Sequence, residues 1–240
     1  MIEKRVDVTT PHGAMPTFVF HPEEGGPFPL VLFLMDAPSV RQALRDMASR
    51  VASVGYTVML PYLYYADEPY REFGVSDEEM HRRTELREKL TKARIASDAA
   101  ALFAHAAKEP VKPGKAGVVG YCMSGPFALA VANAFPDRIA AAASFHGAWF
   151  VTDKPDSSHL GVSKVKAEVY LGWADNDPTA PPSDRDAMEA ALTKAGVRHR
   201  IELYPGALHG FAPPGGARYD RAASERHFER LFALFARNLG

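Results

Sequence analysis

The sequence predicts an α/β fold: a mostly parallel sheet of about seven or eight strands, with helices on both faces and an antiparallel hairpin at the N-terminal edge. Short apolar runs alternate with helix-like segments from residue 30 to the end of the chain. The runs are continuously apolar, as is typical of strands buried on both faces of a parallel sheet. The sequence contains no internal repeat and no low-complexity segment, so we expect a single domain over residues 1–240.

The first elements follow from alternation and turn residues. Glu3–Thr9 alternates polar and apolar residues, which predicts a strand. Thr17–Phe20 is its expected hairpin partner, because the turn-forming Pro11-His12-Gly13 lies between them. Leu30–Met35 is apolar throughout and predicts a strand in the interior of the sheet.

Helical periodicity and chain-breaking residues define the rest. Val40–Val54 carries apolar residues at helical spacing, and Gly55 ends it. Ser76–Lys108 is predicted mostly helical, with a charged first half and an alanine-rich second half. The other expected elements are strands Tyr56–Leu60, Ala116–Val119, Ile139–Phe145, Ala167–Leu171 and Arg200–Tyr204, and helices Ser124–Phe135, Ser183–Ala195 and Tyr219–Leu239.

Charge and composition exclude several classes of protein. The net charge of −1 provides no basic field that would attract nucleic acid or an anionic membrane. No apolar run is long enough to span a bilayer or to form a signal-peptide core. The single cysteine rules out an internal disulfide, which fits a reducing cytoplasm, and no histidine pair has metal-ligand spacing. We therefore expect a cytoplasmic protein without cofactor, metal, nucleic-acid or membrane partner, as a monomer or homodimer.

The most informative segment is Gly120-Tyr121-Cys122-Met123-Ser124-Gly125, between a strand and a helix. A nucleophile on such a sharp turn needs small residues two positions before and after it, as Gly120 and Ser124 are around Cys122. The helix N-terminus favours the thiolate form of Cys122. Two alternatives remain open: Ser124 could be the nucleophile, although Pro126 suits that poorly, or Cys122 could be an inert buried side chain.

A nucleophile needs a base. When a nucleophile lies on such a turn, the chain order is nucleophile, acid, histidine, with the histidine in a loop after the last strand. His209 lies in that loop. His146 and His159 follow a strand and are candidate pocket residues, although a lone histidine more often has a structural role. His227 lies within an amphipathic helix and is expected at the surface.

The acid that orients the histidine is expected in the loop Gly172–Pro178, where Asp175 and Asp177 compete. The spacing of Asp177 to Pro181 favours Asp177. The predicted oxyanion hole consists of the backbone N–H groups of Met123 and of Ala37, which follows the Leu30–Met35 strand.

Taken together, these segments resemble the dienelactone hydrolase family over nearly the whole chain. The segments that carry the resemblance are Leu34–Ala37, Gly55–Pro61, Gly120–Gly125, the Asp175/Asp177 loop and Tyr204–Phe211. The resemblance implies an α/β-hydrolase fold with a Cys122–His209–Asp177 triad, and an acidic residue near the resting thiol, here Asp36.

Family members that cleave dienelactones hold the substrate carboxylate with arginines, one of them just after the catalytic histidine. Here Ala212-Pro213-Pro214 occupies that place. Arg71, Arg82, Arg83, Arg87 and Arg218 are the possible substitutes.

The sequence thus predicts a hydrolase that cleaves a small carboxylic ester or lactone through a thioester acyl-enzyme. Asp36, Tyr121 and Trp149 are the candidate substrate-binding residues, with Tyr62, Tyr64 and Tyr65 either lining the pocket or packing in the core. The alternatives are a serine-type esterase or peptidase that uses Ser124, and a non-catalytic protein that binds small molecules.

Overall fold

The computed structural model describes residues 1–240. Its eight strands form a mostly parallel sheet and alternate with six α-helices, which confirms the predicted α/β-hydrolase fold class. The chain divides into two compact units, Met1–Pro113 and Gly114–Gly240, which are described in turn. The single domain over residues 1–240 stays a prediction.

The first unit contains the N-terminal hairpin and the start of the parallel arrangement. Its strands are ordered β1-β2-β4-β3, with β1/β2 and β2/β4 antiparallel and β3/β4 parallel. The predicted hairpin is therefore confirmed, with longer strands than the sequence indicated. The elements are β1 (Ile2–Thr10), β2 (Gly13–His21), β3 (Phe28–Leu34), α1 (Gln42–Ala52), β4 (Thr57–Pro61), α2 (Asp77–Lys89) and α3 (Lys92–His105).

Burial explains why β3 and β4 form where the apolar runs lie. Every residue of β3 and of β4 is buried, as expected for strands covered on both faces. Helix α1 buries Leu44, Met47 and Val51 on one face, and Gly55 follows it with a φ of +99°. A residue with a side chain would be strained in that conformation, so glycine fits the turn from α1 into β4.

The charged segment from Ser76 onward forms two helices, where the sequence predicted one mostly helical stretch. Leu90 has an extended backbone and ends α2. The Thr91 hydroxyl then accepts a hydrogen bond from the Arg94 N–H at 3.2 Å and starts α3. A threonine that caps a helix offers the backbone an alternative to continuing the previous one, which explains the break.

The second unit is uniformly parallel. Its strands are ordered β5-β6-β7-β8, and each neighbouring pair runs in the same direction. Helix α6 begins two residues later than the predicted Tyr219. The elements are β5 (Val111–Tyr121), α4 (Gly125–Ala134), β6 (Ile139–Phe145), β7 (Glu168–Ala174), α5 (Pro182–Lys194), β8 (His199–Tyr204) and α6 (Arg221–Leu239).

The register of these parallel strands brings their carboxyl ends to one edge. Tyr121 is paired with Phe145, and Phe145 with Gly172. Ala174 is paired with Tyr204. The loops that leave these strands begin side by side, at the edge where ligands bind in sheets of this kind. Cys122 directly follows β5. The loop that carries Asp175 and Asp177 follows β7, and the loop that carries His209 follows β8.

No helix in the structure combines the length and the apolar character that crossing a membrane would require.

Candidate active site

Cys122 occupies a strained turn between β5 and α4. Its φ is +54°, a left-handed conformation that costs a residue with a side chain about 1–3 kcal/mol. A Cβ built on Gly120 would lie 1.9 Å from the Ser124 carbonyl oxygen, so only glycine fits at that position. Cys122 is 9% exposed, at the boundary between interior and surface. The predicted sharp turn is present, and it places the thiol at the end of β5 in a strained backbone conformation.

His209 connects the thiol to a carboxylate. Its Nε2 lies 3.1 Å from the Cys122 Sγ, and its Nδ1 lies 2.6 Å from the Asp177 Oδ2. Asp177 is buried. These two contacts bring together the three residues that the sequence predicted as a triad. With the carboxylate on Nδ1, Nε2 is the imidazole nitrogen that faces the sulfur.

Thr179 lies in the loop after β7 that carries both aspartates, and the sequence analysis did not identify it. Its backbone N–H and its hydroxyl donate to the Asp177 Oδ1, at 2.9 and 2.7 Å. The same hydroxyl oxygen lies 3.3 Å from the His209 Nδ1. With Oδ1 held by Thr179, Oδ2 is aimed at the imidazole. A hydroxyl two residues after a candidate acid is a local signal that could have identified it.

Asp175, the competing acid, has a different task. Its Oδ2 accepts a hydrogen bond from the Gly206 N–H at 2.9 Å, and its own N–H donates to the Ala207 carbonyl at 2.7 Å. Asp175 thus ties the loop after β7 to the loop after β8, the loop that carries His209. No hydrogen bond joins it to the imidazole.

The electrostatics of the cluster favour a charged pair. Burial lowers the pKa of His209, but hydrogen bonds to Asp177 and Cys122 outweigh it and raise the pKa to about 10. Burial raises the pKa of Asp177, but the hydrogen bonds from His209 and Thr179 lower it overall. The imidazolium form of His209, flanked by an ionised Asp177, is therefore stable at neutral pH.

Two predictions about neighbouring residues need correction. His227 was expected at the surface, yet it is fully buried: its Nε2 accepts a hydrogen bond from the Tyr121 hydroxyl at 3.1 Å. Tyr121, a predicted substrate-binding residue, is fully buried in the same core and stacks on Phe145. Its side chain packs in the interior, which argues against contact with substrate. Periodicity could not reveal this, because the buried partner is distant in the sequence.

Trp149 lies in a strained segment whose backbone is bonded to the loop after β7. It has a φ of +56° and is 38% exposed. Its backbone N–H donates to the Thr179 carbonyl at 2.8 Å, and the Ala148 backbone N–H donates to the Cys122 carbonyl at 3.1 Å. The segment is thus bonded both to the turn of Cys122 and to the loop of Asp177.

His159, the other histidine considered for the pocket, forms a hydrogen bond with the Ser157 hydroxyl through its Nδ1, at 2.8 Å.

Comparisons with known proteins identify the family to which the chain belongs. The model of the dienelactone hydrolase family matches residues 15–239. The chain belongs to this family. A protein of Synechocystis named "Putative carboxymethylenebutenolidase" is 30% identical over 226 residues, 92% of this chain and 91% of that protein. A protein of the same name from Methylorubrum extorquens is 26% identical, covering 96% of this chain and 79% of its own.

Solved structures share the fold. A Klebsiella pneumoniae structure, "Putative Dienelactone Hydrolase", superposes with a TM-score of 0.88 at 23% identity, covering 98% of both chains. A dienelactone hydrolase-like promiscuous phosphotriesterase from metagenomic libraries gives a TM-score of 0.83 at 20% identity, over 100% of this chain and 99% of its own. Family membership makes this protein a hydrolase of the ester- and lactone-cleaving class.

In the first unit, an arginine holds the carboxylate of Asp36, which was predicted to bind substrate. The Arg41 guanidinium donates to both carboxylate oxygens, at 2.6 and 3.0 Å, and Asp36 itself is buried. In the same loop, the Ala37 carbonyl accepts from the Tyr64 hydroxyl at 3.1 Å. Tyr62 and Tyr64 are fully buried and belong to the core. Sequence reasoning missed Arg41, whose only local signal is a cation five residues after the acid.

Two of the arginines considered for binding a substrate carboxylate, Arg71 and Arg82, form ion pairs with glutamates of this protein. Arg71 forms ion pairs with Glu68 and Glu79, at 2.7 and 2.8 Å. Arg82 forms ion pairs with Glu68 and Glu85, at 2.8 and 2.9 Å. Each guanidinium faces two carboxylates, which neutralise its charge. The structure contains no group of three or more His, Cys, Asp or Glu side chains that could hold a metal ion.

Proposed function

We propose that the protein hydrolyses small neutral carboxylic esters or lactones, with Cys122 as nucleophile, His209 as acid and base, and Asp177 as the orienting carboxylate. The observation that carries this is the continuous chain of contacts from the Cys122 Sγ through the two nitrogens of His209 to Asp177. This is the geometry of nucleophile, base and orienting acid that acyl transfer requires.

The mechanism has two halves. The Cys122 thiolate attacks the carbonyl carbon, and the Met123 N–H stabilises the oxyanion. The second predicted donor, the Ala37 N–H, stays a prediction. The C–O bond breaks as the His209 imidazolium protonates the leaving alcohol, which leaves a thioester on Cys122. Neutral His209 then removes a proton from water, the hydroxide attacks the thioester, and the carboxylic acid departs as the thiolate re-forms.

Two alternatives are less well supported. Ser124 is fully buried, and its carbonyl packs against Gly120, whereas the imidazole faces the Cys122 sulfur. Structures of serine-type peptidases resemble this chain at 15–20% identity, which concerns the fold alone. A non-catalytic binding protein would have no need of a connected thiol, imidazole and carboxylate.

The substrate is proposed to be neutral near the reacting carbonyl. The residues after His209, Gly210-Phe211-Ala212-Pro213-Pro214, carry no charge, and Phe211, Ala212 and Pro213 are buried. A substrate carboxylate would therefore lack the arginine that dienelactones meet in the family pattern. The cytoplasmic location and the monomeric or homodimeric state remain predictions.

Trp149 is proposed to bind the apolar part of the substrate, since its backbone is bonded to Thr179, has a strained conformation, and leaves the residue 38% exposed. We expect Trp149→Ala to raise KM for a neutral aryl ester about 5- to 10-fold, with kcat changed less, because an aromatic contact contributes to ground-state and transition-state binding alike. Steady-state kinetics test this, with Leu160→Ala as control because Leu160 is also apolar and exposed. An equal rise in KM for both variants would contradict a specific role.

The proposed function is tested by trapping the intermediate. With p-nitrophenyl acetate, we expect a burst of nitrophenol followed by steady turnover, because acylation of an activated ester outpaces hydrolysis of the thioester. Acid quenching during the burst, followed by peptide mass spectrometry, should locate one acetyl group on Cys122. An acetyl group on Ser124, or turnover with no acylated peptide, would refute the thioester route.

A further inference from the structure

His146 is a buried imidazole in contact with the proposed base, and the mechanism above does not use it. It directly follows β6 and has a φ of +40°. Its backbone N–H donates to the Gly172 carbonyl at 2.9 Å, which fixes the turn against β7. Two residues later, the Ala148 N–H donates to the Cys122 carbonyl at 3.1 Å. The turn that carries His146 is therefore bonded to the nucleophile's own backbone.

The ring of His146 lies among aromatic rings. Its centroid is 5.4 Å from that of His209, with an interplanar angle of 67°. The Phe211 ring lies 5.2 Å away and the Tyr121 ring 5.8 Å away. The residue is 1% exposed. This packing holds the imidazole in one orientation against His209.

An imidazole is energetically unfavourable at this buried position. Neither ring nitrogen of His146 has a hydrogen-bond partner, whereas leucine or phenylalanine would fill the same apolar surroundings with no unpaired polar atom. A left-handed backbone is also unfavourable for any residue with a side chain, although histidine tolerates it better than most. Buried, unpaired polar groups and strained backbone both concentrate at functional sites.

We propose that His146 is a positioning residue whose electron-rich ring face stabilises the imidazolium form of His209, and through it the thiolate of Cys122. A cation is attracted to the face of an aromatic ring within about 6 Å of the ring centroid, and a T-shaped pair brings the edge of one ring to the face of the other. The contact between the two rings adds to the hydrogen bonds that His209 forms with Asp177 and Cys122. This inference rests on the proposed function in one respect: His209 is taken as the base of Cys122.

The inference requires His146 to remain neutral, and its surroundings provide for that. Burial, followed by the proximity of His209 and His227, holds the pKa of His146 well below its usual range. The titratable groups that face the ring are Tyr121 from β5, His227 from α6, and His209 and Asp177 from the two loops. Asp177 favours protonation of His146, but its carboxylate is already bonded to His209 and Thr179.

Two substitutions separate the ring face from simple packing. His146→Phe keeps an aromatic face and removes both nitrogens. His146→Leu keeps an apolar side chain and removes the face. Both place an ordinary side chain on the same left-handed backbone, so their costs in backbone strain are matched. If the leucine variant does not fold, His146→Gln takes its place, because glutamine also lacks an aromatic face.

The measurement is the rate at which iodoacetamide alkylates Cys122 as a function of pH. Only the thiolate reacts, so the midpoint of the profile reports the thiolate–imidazolium pair and needs no ester substrate. We expect the leucine variant to shift the midpoint upward by about one pH unit. The phenylalanine variant should stay within about 0.3 unit of wild type, and for a neutral aryl ester kcat should fall in the leucine variant while KM holds.

Equal midpoints in wild type and the leucine variant would overturn the inference, as would a phenylalanine variant shifted as far as the leucine variant. A change confined to the melting temperature would likewise overturn it, since that is the signature of packing alone. Failure of the proposed function is distinguishable: wild-type Cys122 would then alkylate no faster than a free thiol at neutral pH, or would alkylate rapidly without turning over esters.

Discussion

Cys122→Ala is expected to lower kcat/KM for a neutral aryl ester by about 10⁴-fold or more while leaving the protein folded. In the proposed mechanism this side chain supplies the atom that forms the thioester, and alanine has no group that can replace it. Alanine fits the space that the thiol leaves, so we expect the melting temperature to change by no more than about 4 °C, which corresponds to about 1 kcal/mol in a chain of this size. Steady-state kinetics and thermal unfolding monitored by circular dichroism provide the two measurements.

Ser124→Ala is the matched control for Cys122→Ala. It also removes one heteroatom, from the same turn, and it tests the alternative nucleophile directly. We expect it to keep activity within about fivefold of wild type, since the imidazole bonds to the Cys122 sulfur at 3.1 Å. The reverse pattern, an active alanine at 122 and an inactive alanine at 124, would establish a serine hydrolase instead.

Asp177→Asn is expected to lower kcat by about 10²- to 10⁴-fold with little change in KM. An amide in place of the carboxylate removes the charge that stabilises the imidazolium, and its N–H₂ group can force the wrong tautomer on His209. The substitution is nearly isosteric, and the Thr179 hydroxyl can still donate to the remaining carbonyl oxygen. The kinetic loss should therefore exceed any loss of thermal stability.

The sign of the pH effect of Asp177→Asn follows from the histidine. The Asp177 carboxylate raises the pKa of His209, so its removal lowers that pKa. A neutral imidazole no longer stabilises the thiolate, and the profile of Cys122 alkylation by iodoacetamide should move to higher pH. Unchanged alkylation in Asp177→Asn would contradict the role assigned to this carboxylate.

Asp175→Asn is the control for Asp177→Asn, because the same change is made two residues away. The Asp175 side chain accepts a hydrogen bond from the Gly206 N–H, and an amide oxygen can accept the same bond. We expect kcat within about threefold of wild type and no shift of the alkylation profile. A loss as large as that of Asp177→Asn would transfer the orienting role to Asp175.

Prediction from the sequence succeeded where the cause is local. Continuous apolar runs identified β3 and β4, because a strand buried on both faces must be apolar throughout. Gly120 and Ser124 revealed the turn around Cys122, because a sharp turn restricts its own neighbours. The break between α2 and α3 was missed, since the Thr91 cap competes only weakly against the helical pattern on both sides of it.

Prediction was weaker where the cause is a contact between distant residues. His227 lies in a helix with a charged outer face, and the approach of Tyr121 from β5 and Phe145 from β6 makes it a core residue. The preference for Asp177 over Asp175 rested on spacing, whereas in the structure each aspartate has a distinct partner, His209 for one and Gly206 for the other.

The sequence by itself therefore determined the α/β fold class, the sharp turn that carries the single cysteine, and the order along the chain of the three residues proposed as nucleophile, acid and base. These features depend on periodicity and on the steric demands of neighbouring residues. Only the tertiary structure decided that His209 lies between Cys122 and Asp177, that Thr179 holds the other carboxylate oxygen, and that the His146 ring packs on the imidazole. The physical reason is that parallel strands bring loops distant in sequence to one edge, and the distances that chemistry requires arise there.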